Sequence, residues 1–236
     1  MSLPLFLVDA LPDGDEFHLD GPEGHHAATV QRLRVGEHLL LGDGQGGTAT
    51  GVVTAVGRGT LDVAVTGRTR VAAPTPRLVV VQGIAKGDRG ELAVQAMTEV
   101  GVDEIVPWAA ARSVARWKDD RPLQRWRATA REAAKQARRP WLPVVADATT
   151  TANLTRRPGP LLVLHEEAAA PLSRVDLPAA DDITLVVGPE GGIAPEELAA
   201  LEGAGALPVR LGPEVLRTST AGVAALSALS VRLGRW

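Results

Sequence analysis

The chain has 236 residues, 45% of them apolar and 22% charged, enough to bury a core as one large domain or two small ones. That composition excludes collagen-like, coiled-coil and disordered chains. No apolar run reaches the roughly 18 residues of a membrane span, the opening MSLPLFLVDALPDGDEF, without a basic n-region and soon acidic, does not read as a secretory signal, and the absence of cysteine excludes disulfides, iron–sulfur clusters and thiolate zinc sites. The expected compartment is the cytoplasm, with no membrane partner. The net charge of −3 hides an asymmetry: residues 112–139 hold ten of the 25 Lys and Arg against three acids. Such a basic stretch in an acidic chain points to a polyanionic partner or to a solvated helix face.

In chain order, residues 3–71 read as β-rich, with strands over 39–41, 48–56 and 61–65 and one helix over 23–33. Gly42, Gly44 and Gly47 satisfy a dinucleotide-binding spacing, but that motif needs a helix after its glycines. The β-branched run Thr48, Thr50, Val52, Val53 continues as a strand instead, so the glycines are read as a hairpin turn. A proline-punctuated linker, 72–76, follows. Beyond it, continuous apolar runs at 78–81, 161–164 and 183–187 suit strands of a parallel sheet buried on both faces. They alternate with helices, giving an α/β region. One helix starts near Asp88, with Glu91 in capping-box spacing and a stripe of Leu92, Ala96 and Val100 ended by Gly101. A second spans 123–137. A third follows Thr220 with Val223, Leu226, Leu229 and Leu233 on one face. The expected domains are 1–73 and 74–236.

The chain has no Walker A or G-x-S-x-G sequence, and none of His18, His25, His26, His38 and His165 has metal-ligand spacing, so no metal is expected. The informative part is C-terminal. The strand 183–187 runs into Gly188-Pro189-Glu190-Gly191-Gly192, and Pro195 opens a helix with Glu196 and Glu197 in its first turn. Those acids disfavour phosphate there; the glycines suit close backbone approach to a neutral or cationic ligand. A second strand runs into Leu211-Gly212-Pro213-Glu214-Val215-Leu216-Arg217-Thr218. Thr218, Ser219 or Thr220 is a candidate N-cap, and Arg217 beside a helix N-terminus suits a carboxylate, phosphate or RNA partner better than the helix dipole. Both turns leave the C-terminal ends of strands, the edge where open α/β sheets bind ligands.

These segments resemble the 16S ribosomal RNA uridine N3-methyltransferases of the SPOUT class. The matching pieces are LVVGPEGGIAPEE, LGPEVLRTSTA, AVQAMTEVGVDEIVPW, KQARRPWLP and HHAATVQRLRVGE, spread over nearly the whole chain. The resemblance implies a small PUA-like β-barrel that helps bind RNA, a SPOUT α/β domain with a trefoil knot, and a homodimer acting on 16S rRNA of the small ribosomal subunit. It implies S-adenosylmethionine held by three loops: Leu164, His165 and Glu166; Gly188, Pro189, Glu190, Gly191 and Gly192; and Leu211, Gly212, Pro213, Leu216, Arg217 and Thr218. The chain departs from the family pattern at Ser219, Lys135-Gln136 and Arg138, where many members have Glu, Glu-Gln and Gly. No carboxylate role is carried to those positions.

Methyl transfer from a sulfonium needs alignment and a nucleophile. Uracil N3 carries a proton, so a base or cationic stabilisation of its anion is required. Arg217 suits stabilisation and Arg139 suits holding a phosphate or the base; no general base is assigned. The first domain holds five Arg against nine acids. Phosphate affinity is therefore expected from Arg125, Arg131, Arg138 and Arg139, joined by His26, Arg32 and Arg34. The competing readings are a SPOUT methyltransferase acting on tRNA or a ribose 2′-hydroxyl, and a catalytically silent RNA-binding assembly factor.

Overall fold

A computed structural model describes residues 3–236. The chain divides into two compact units, 1–73 with 134–142, and 74–133 with 143–236.

The first unit is a five-stranded sheet. Its strands are β1 (Leu5–Leu7), β2 (Glu16–Leu19), β3 (His38–Gly42), β4 (Gly47–Val56) and β5 (Leu61–Arg70), in the order β1-β3-β4-β5-β2. The β3, β4 and β5 ladder is antiparallel, with register shifts at Thr50/Gly51 and Val53/Ala55. Alternation along β4 puts Ala49 and Val53 into a core with Phe6, Leu39, Leu41, Leu61 and Val63, as period-2 strands require. The expected helix is a short one, α1 (Gly21–His25), running into a π-helical turn, His26–Val30. The glycine cluster is the β3–β4 turn: Asp43 Oδ1 accepts the amides of Gln45 and Gly47 at 2.7 and 2.9 Å.

The segment 134–142 completes this unit. The Gly46 amide bonds to the Pro140 carbonyl at 2.8 Å, the Leu142 amide to the Gly44 carbonyl at 3.0 Å, and Trp141 Nε1 to the Val71 carbonyl at 3.0 Å. Lys135, buried, donates to Glu23 at 3.0 Å. Removing one partner of such a buried pair costs on the order of 3–5 kcal/mol.

The second unit is an α/β layer structure. Its six strands are β6 (Arg77–Gly83), β7 (Glu104–Trp108), β8 (Val144–Val145), β9 (Leu161–Leu164), β10 (Asp182–Val187) and β11 (Leu207–Val209), all parallel, in the order β11-β9-β10-β6-β7-β8. The continuous apolar runs are explained by two cores. Leu78, Val80, Ile183 and Leu185 face one layer, with Met97, Trp126 and Leu226 from α2 (Arg89–Glu99), α3 (Arg121–Gln136) and α6 (Thr218–Arg232). Val79, Val81 and Val186 face the other, with Leu154 and Leu201 from α4 (Thr151–Leu154) and α5 (Pro195–Gly203).

Three details differ from expectation. In α2 the buried face is Gly90, Ala93, Val94, Met97 and Thr98, whereas Leu92 is 53% exposed. Two helices close on this face: a Cβ on Gly222 of α6 would lie 2.7 Å from Met97 Sδ, and a Cβ on Gly90 would lie 2.8 Å from the Trp126 ring of α3. Asp88 makes no side-chain cap, and Glu91 pairs with Arg125 at 3.0 Å instead. In α6 the N-cap is Arg217, whose carbonyl accepts the Thr220 and Ala221 amides. Thr218 is the first helical residue, and its hydroxyl is used elsewhere.

Candidate functional site

Five parallel strands deliver their following loops to one edge of the second unit's sheet, and a cleft of about 720 Å³ opens there. Its lining takes Arg89 from beyond β6, Arg112 from beyond β7, His165 after β9, Gly188–Gly192 after β10 and Arg210 after β11. This is the edge on which parallel α/β sheets place ligands, because adjacent loops diverge there.

The cleft gathers residues 164–166, 188–192, 211–212 and 216–218, which together are all but one of the residues expected to hold a cofactor; Pro213 does not line it. A side-chain relay fixes two of the loops. Gln82, wholly buried at the end of β6, donates through Nε2 to Thr218 Oγ1 at 2.9 Å, and that hydroxyl donates to the Gly188 carbonyl at 2.8 Å. The third loop is held by Arg210, whose Nη1 donates to the carbonyls of Ala168 and Ala169, each at 2.9 Å. At Gly83 a Cβ would lie 2.5 Å from the Pro189 nitrogen. Glycine is therefore what lets the 188–192 turn settle against the end of β6.

Glu190 is tied down at the rim. Its Oε1 accepts the Lys86 amide at 3.1 Å and Arg89 Nη1 at 3.2 Å. Burial alone would raise this carboxyl, but its own amide, the Lys86 amide and the Arg89 guanidinium outweigh it and hold the group below the usual carboxylate range. A carboxylate so held is a poor proton acceptor near neutral pH.

Arg89 and Arg112 are among the cleft residues that the sequence did not reveal. Arg112 Nη1 donates to the Gly191 carbonyl at 3.3 Å. A Cβ on Gly191 would lie 3.0 Å from the Arg112 carbonyl oxygen and 3.1 Å from its Cβ. Gly191 is thus a glycine because Arg112 packs on it, not only because a ligand approaches. The signal available was positional: both arginines follow the C-terminal ends of apolar strands, as the glycine loops do.

The remaining expected residues lie outside the cleft lining. His26, Arg32, Arg34, Arg138 and Arg139 belong to the first unit. His26 sits edge-on to Phe6, and Arg32, Arg34 and Arg138 are exposed. Arg32 and Arg138 have φ of 56° and 53°, the two left-handed non-glycine residues among those described. Arg125 and Arg131 are exposed residues of α3. The described residues contain no cluster of three or more His, Asp or Glu able to hold a metal, and no helix among them is long and apolar enough to cross a membrane.

A parallel sheet edged by glycine-rich loops, joined in one chain to a small β unit, is an architecture this chain shares with RNA methyltransferases. Residues 72–230 match the RNA methyltransferase domain and residues 19–66 the RNA methyltransferase PUA domain, and the chain belongs to that family. Its relatives within the family include the ribosomal RNA small subunit methyltransferase E of Mycobacterium bovis, 49% identical over 100% of this chain and 94% of the relative. The protein of the same name from Bacillus subtilis is 30% identical over 93% of this chain and 91% of the relative. Among solved structures, the ribosomal RNA small subunit methyltransferase E of Neisseria gonorrhoeae bound to S-adenosyl methionine superposes with a TM-score of 0.88, at 25% identity, covering 98% of each chain.

Proposed function

We propose that this chain methylates N3 of a uridine in 16S rRNA of the small ribosomal subunit, with S-adenosylmethionine as methyl donor and no metal. The observation that carries the reading is the cleft itself, in which three loops far apart in sequence converge at one sheet edge. The residues present fit the cofactor. Leu164, Leu211 and Leu216 offer apolar surface for a flat base, the 188–192 and 211–212 turns offer backbone groups, and Glu166 and Glu214 offer acceptors for hydroxyl and ammonium groups. The bound cofactor supplies a methyl group on a sulfonium.

The chain's own residues do the rest. The Gln82–Thr218–Gly188 relay holds two cofactor loops in register, so alignment is set before substrate arrives. Arg217, exposed at the cleft and without a carboxylate partner among the described residues, stabilises negative charge on the acceptor base. Glu190, held low by Arg89 and the Lys86 amide, serves as a strut and not as the base. The exposed Arg32, Arg34, Arg125, Arg131 and Arg138 meet RNA phosphates, joined by His26 and Arg139. The chain works as a homodimer, and the three loops belong to a trefoil knot.

The test is direct. Small subunits from cells lacking this protein, incubated with the purified chain and labelled S-adenosylmethionine, acquire label, and mass mapping of nucleosides finds it on N3 of one 16S uridine. Label on tRNA or on a ribose hydroxyl overturns the reading.

A further inference from the structure

Arg112 packs on the glycine turn and lines the cleft, and its place there is fixed by more than that turn. Its main chain is fixed from two sides. Glu197, in the first turn of α5, accepts the Ala111 amide at 3.0 Å and the Thr151 hydroxyl at 2.6 Å through Oε1. Thr151 in turn accepts Trp108 Nε1 at 3.2 Å. The residue before Arg112 is therefore anchored to a side-chain network rooted in the fully buried Trp108. On the other side the Arg112 backbone packs on Gly191, and its guanidinium lies over the turn, with Nη1 on the Gly191 carbonyl at 3.3 Å and 3.9 Å from where a Gly192 Cβ would stand. Arg89, its neighbour on the lining, is neutralised by Glu190. Arg112 has no carboxylate partner among the described residues.

A guanidinium has five N–H donors in a rigid fork. One is spent on the neutral Gly191 carbonyl, which leaves the charge uncompensated at the cleft lining. From this we infer that Arg112 binds an anionic oxygen of the acceptor nucleotide and positions it against the glycine turn. The inference rests on the methyltransferase reading above. Two oxygens have this chemistry, a backbone phosphate oxygen and a carbonyl oxygen of the deprotonated uracil, and they differ in when the charge exists. A phosphate is charged in the ground state, so its loss weakens RNA binding and the salt dependence of that binding. The carbonyl oxygen gains charge only as N3 loses its proton, so losing that contact slows the reaction with affinity kept.

The experiment compares wild type, Arg112→Lys and Arg112→Ala on small subunits lacking the modification. Single-turnover methyl transfer at saturating RNA and cofactor, filter binding over a salt series, and calorimetric binding of S-adenosylmethionine are measured. Arg112→Ala is expected to lose about a hundredfold in rate at unchanged cofactor affinity if the oxygen is the uracil carbonyl. If it is a phosphate, RNA affinity falls and the salt slope drops by about one unit. Arg112→Lys, which keeps the charge without the fork, recovers part of either loss. If Arg112→Ala matches wild type in rate, affinity and slope, the inference is overturned while the enzyme reading stands. Loss of cofactor binding in Arg112→Ala also overturns it, because the residue then acts on the turn and not on RNA. Wild type that binds cofactor and transfers no methyl group overturns both.

Discussion

The Thr218 hydroxyl donates to the Gly188 carbonyl at 2.8 Å while accepting from Gln82 at 2.9 Å, so the start of α6 and the end of β10 share one proton-ordered link. Thr218→Val removes the hydroxyl at constant shape. It leaves the buried Gln82 amide short of a partner and should cost about 1–3 kcal/mol of stability. Cofactor affinity, read by calorimetry, should fall further than in Ser227→Ala, whose lost hydroxyl bond to the Val223 carbonyl lies away from the cleft. Equal affinities in the two variants would remove the link from the site.

Gly191→Ala tests the packing of Arg112 on the turn. The new Cβ would sit 3.0 Å from the Arg112 carbonyl oxygen, a tight contact that the Arg112 backbone relieves by moving a few tenths of an ångström. Because that shift moves a cation over the cleft, turnover should drop more than cofactor affinity. Unchanged turnover with weakened cofactor binding would assign Gly191 to the cofactor alone.

Glu190 sets a pH limit. Its carboxyl is held below the usual carboxylate range, so the tie it makes is present above the unfolded-state value and is lost as pH falls through the lower folded value. Thermal melts of wild type and Glu190→Gln should therefore differ by a constant amount at neutral and mildly acidic pH. The difference should close only in strong acid. A gap that closes near neutral pH would mean the carboxyl is not held low.

Arg138 separates RNA affinity from stability. Its φ of 53° costs an L-residue roughly 1–2 kcal/mol, a strain that Arg138→Gly relieves and that glycine's extra unfolded-state freedom partly offsets. Stability should thus hold or rise, while the salt slope of RNA binding falls by about one unit. Arg217→Ala should do the reverse, keeping the slope and slowing single-turnover transfer. Denaturant melts and filter binding on both variants decide it.

How far the sequence could be read depended on how local the cause was. The buried strands were legible because continuous apolar runs such as 183–187 have few other homes. The 188–192 turn was legible because the strand entering its glycines is followed by Pro195 and two acids that open a helix, where the 42–47 glycines are followed by a β-branched strand. The α2 stripe differs from expectation because its face is set by what α6 and Trp126 of α3 can approach, and Ala93 and Gly90 advertise nothing in a hydropathy pattern. Arg112 was invisible for a similar reason. It lies 79 residues from the Gly191 carbonyl it meets, and only the strand order β9-β10-β6-β7 brings the two loops together.

The return of 134–142 to the first unit bears on how such a chain can be rearranged. The polypeptide passes between units at 73/74, 133/134 and 142/143, so neither unit is one uninterrupted piece of sequence. A fragment ending at residue 73 would carry the 43–47 turn without Trp141 and Leu142, and Glu23 without Lys135. The β unit is therefore not a cassette that recombination can lift out and graft elsewhere. Inheritance must keep both units together, and a substitution in the 134–142 strap is answerable to an N-terminal neighbour more than 90 residues upstream, Gly44 for Leu142 or Gly46 for Pro140.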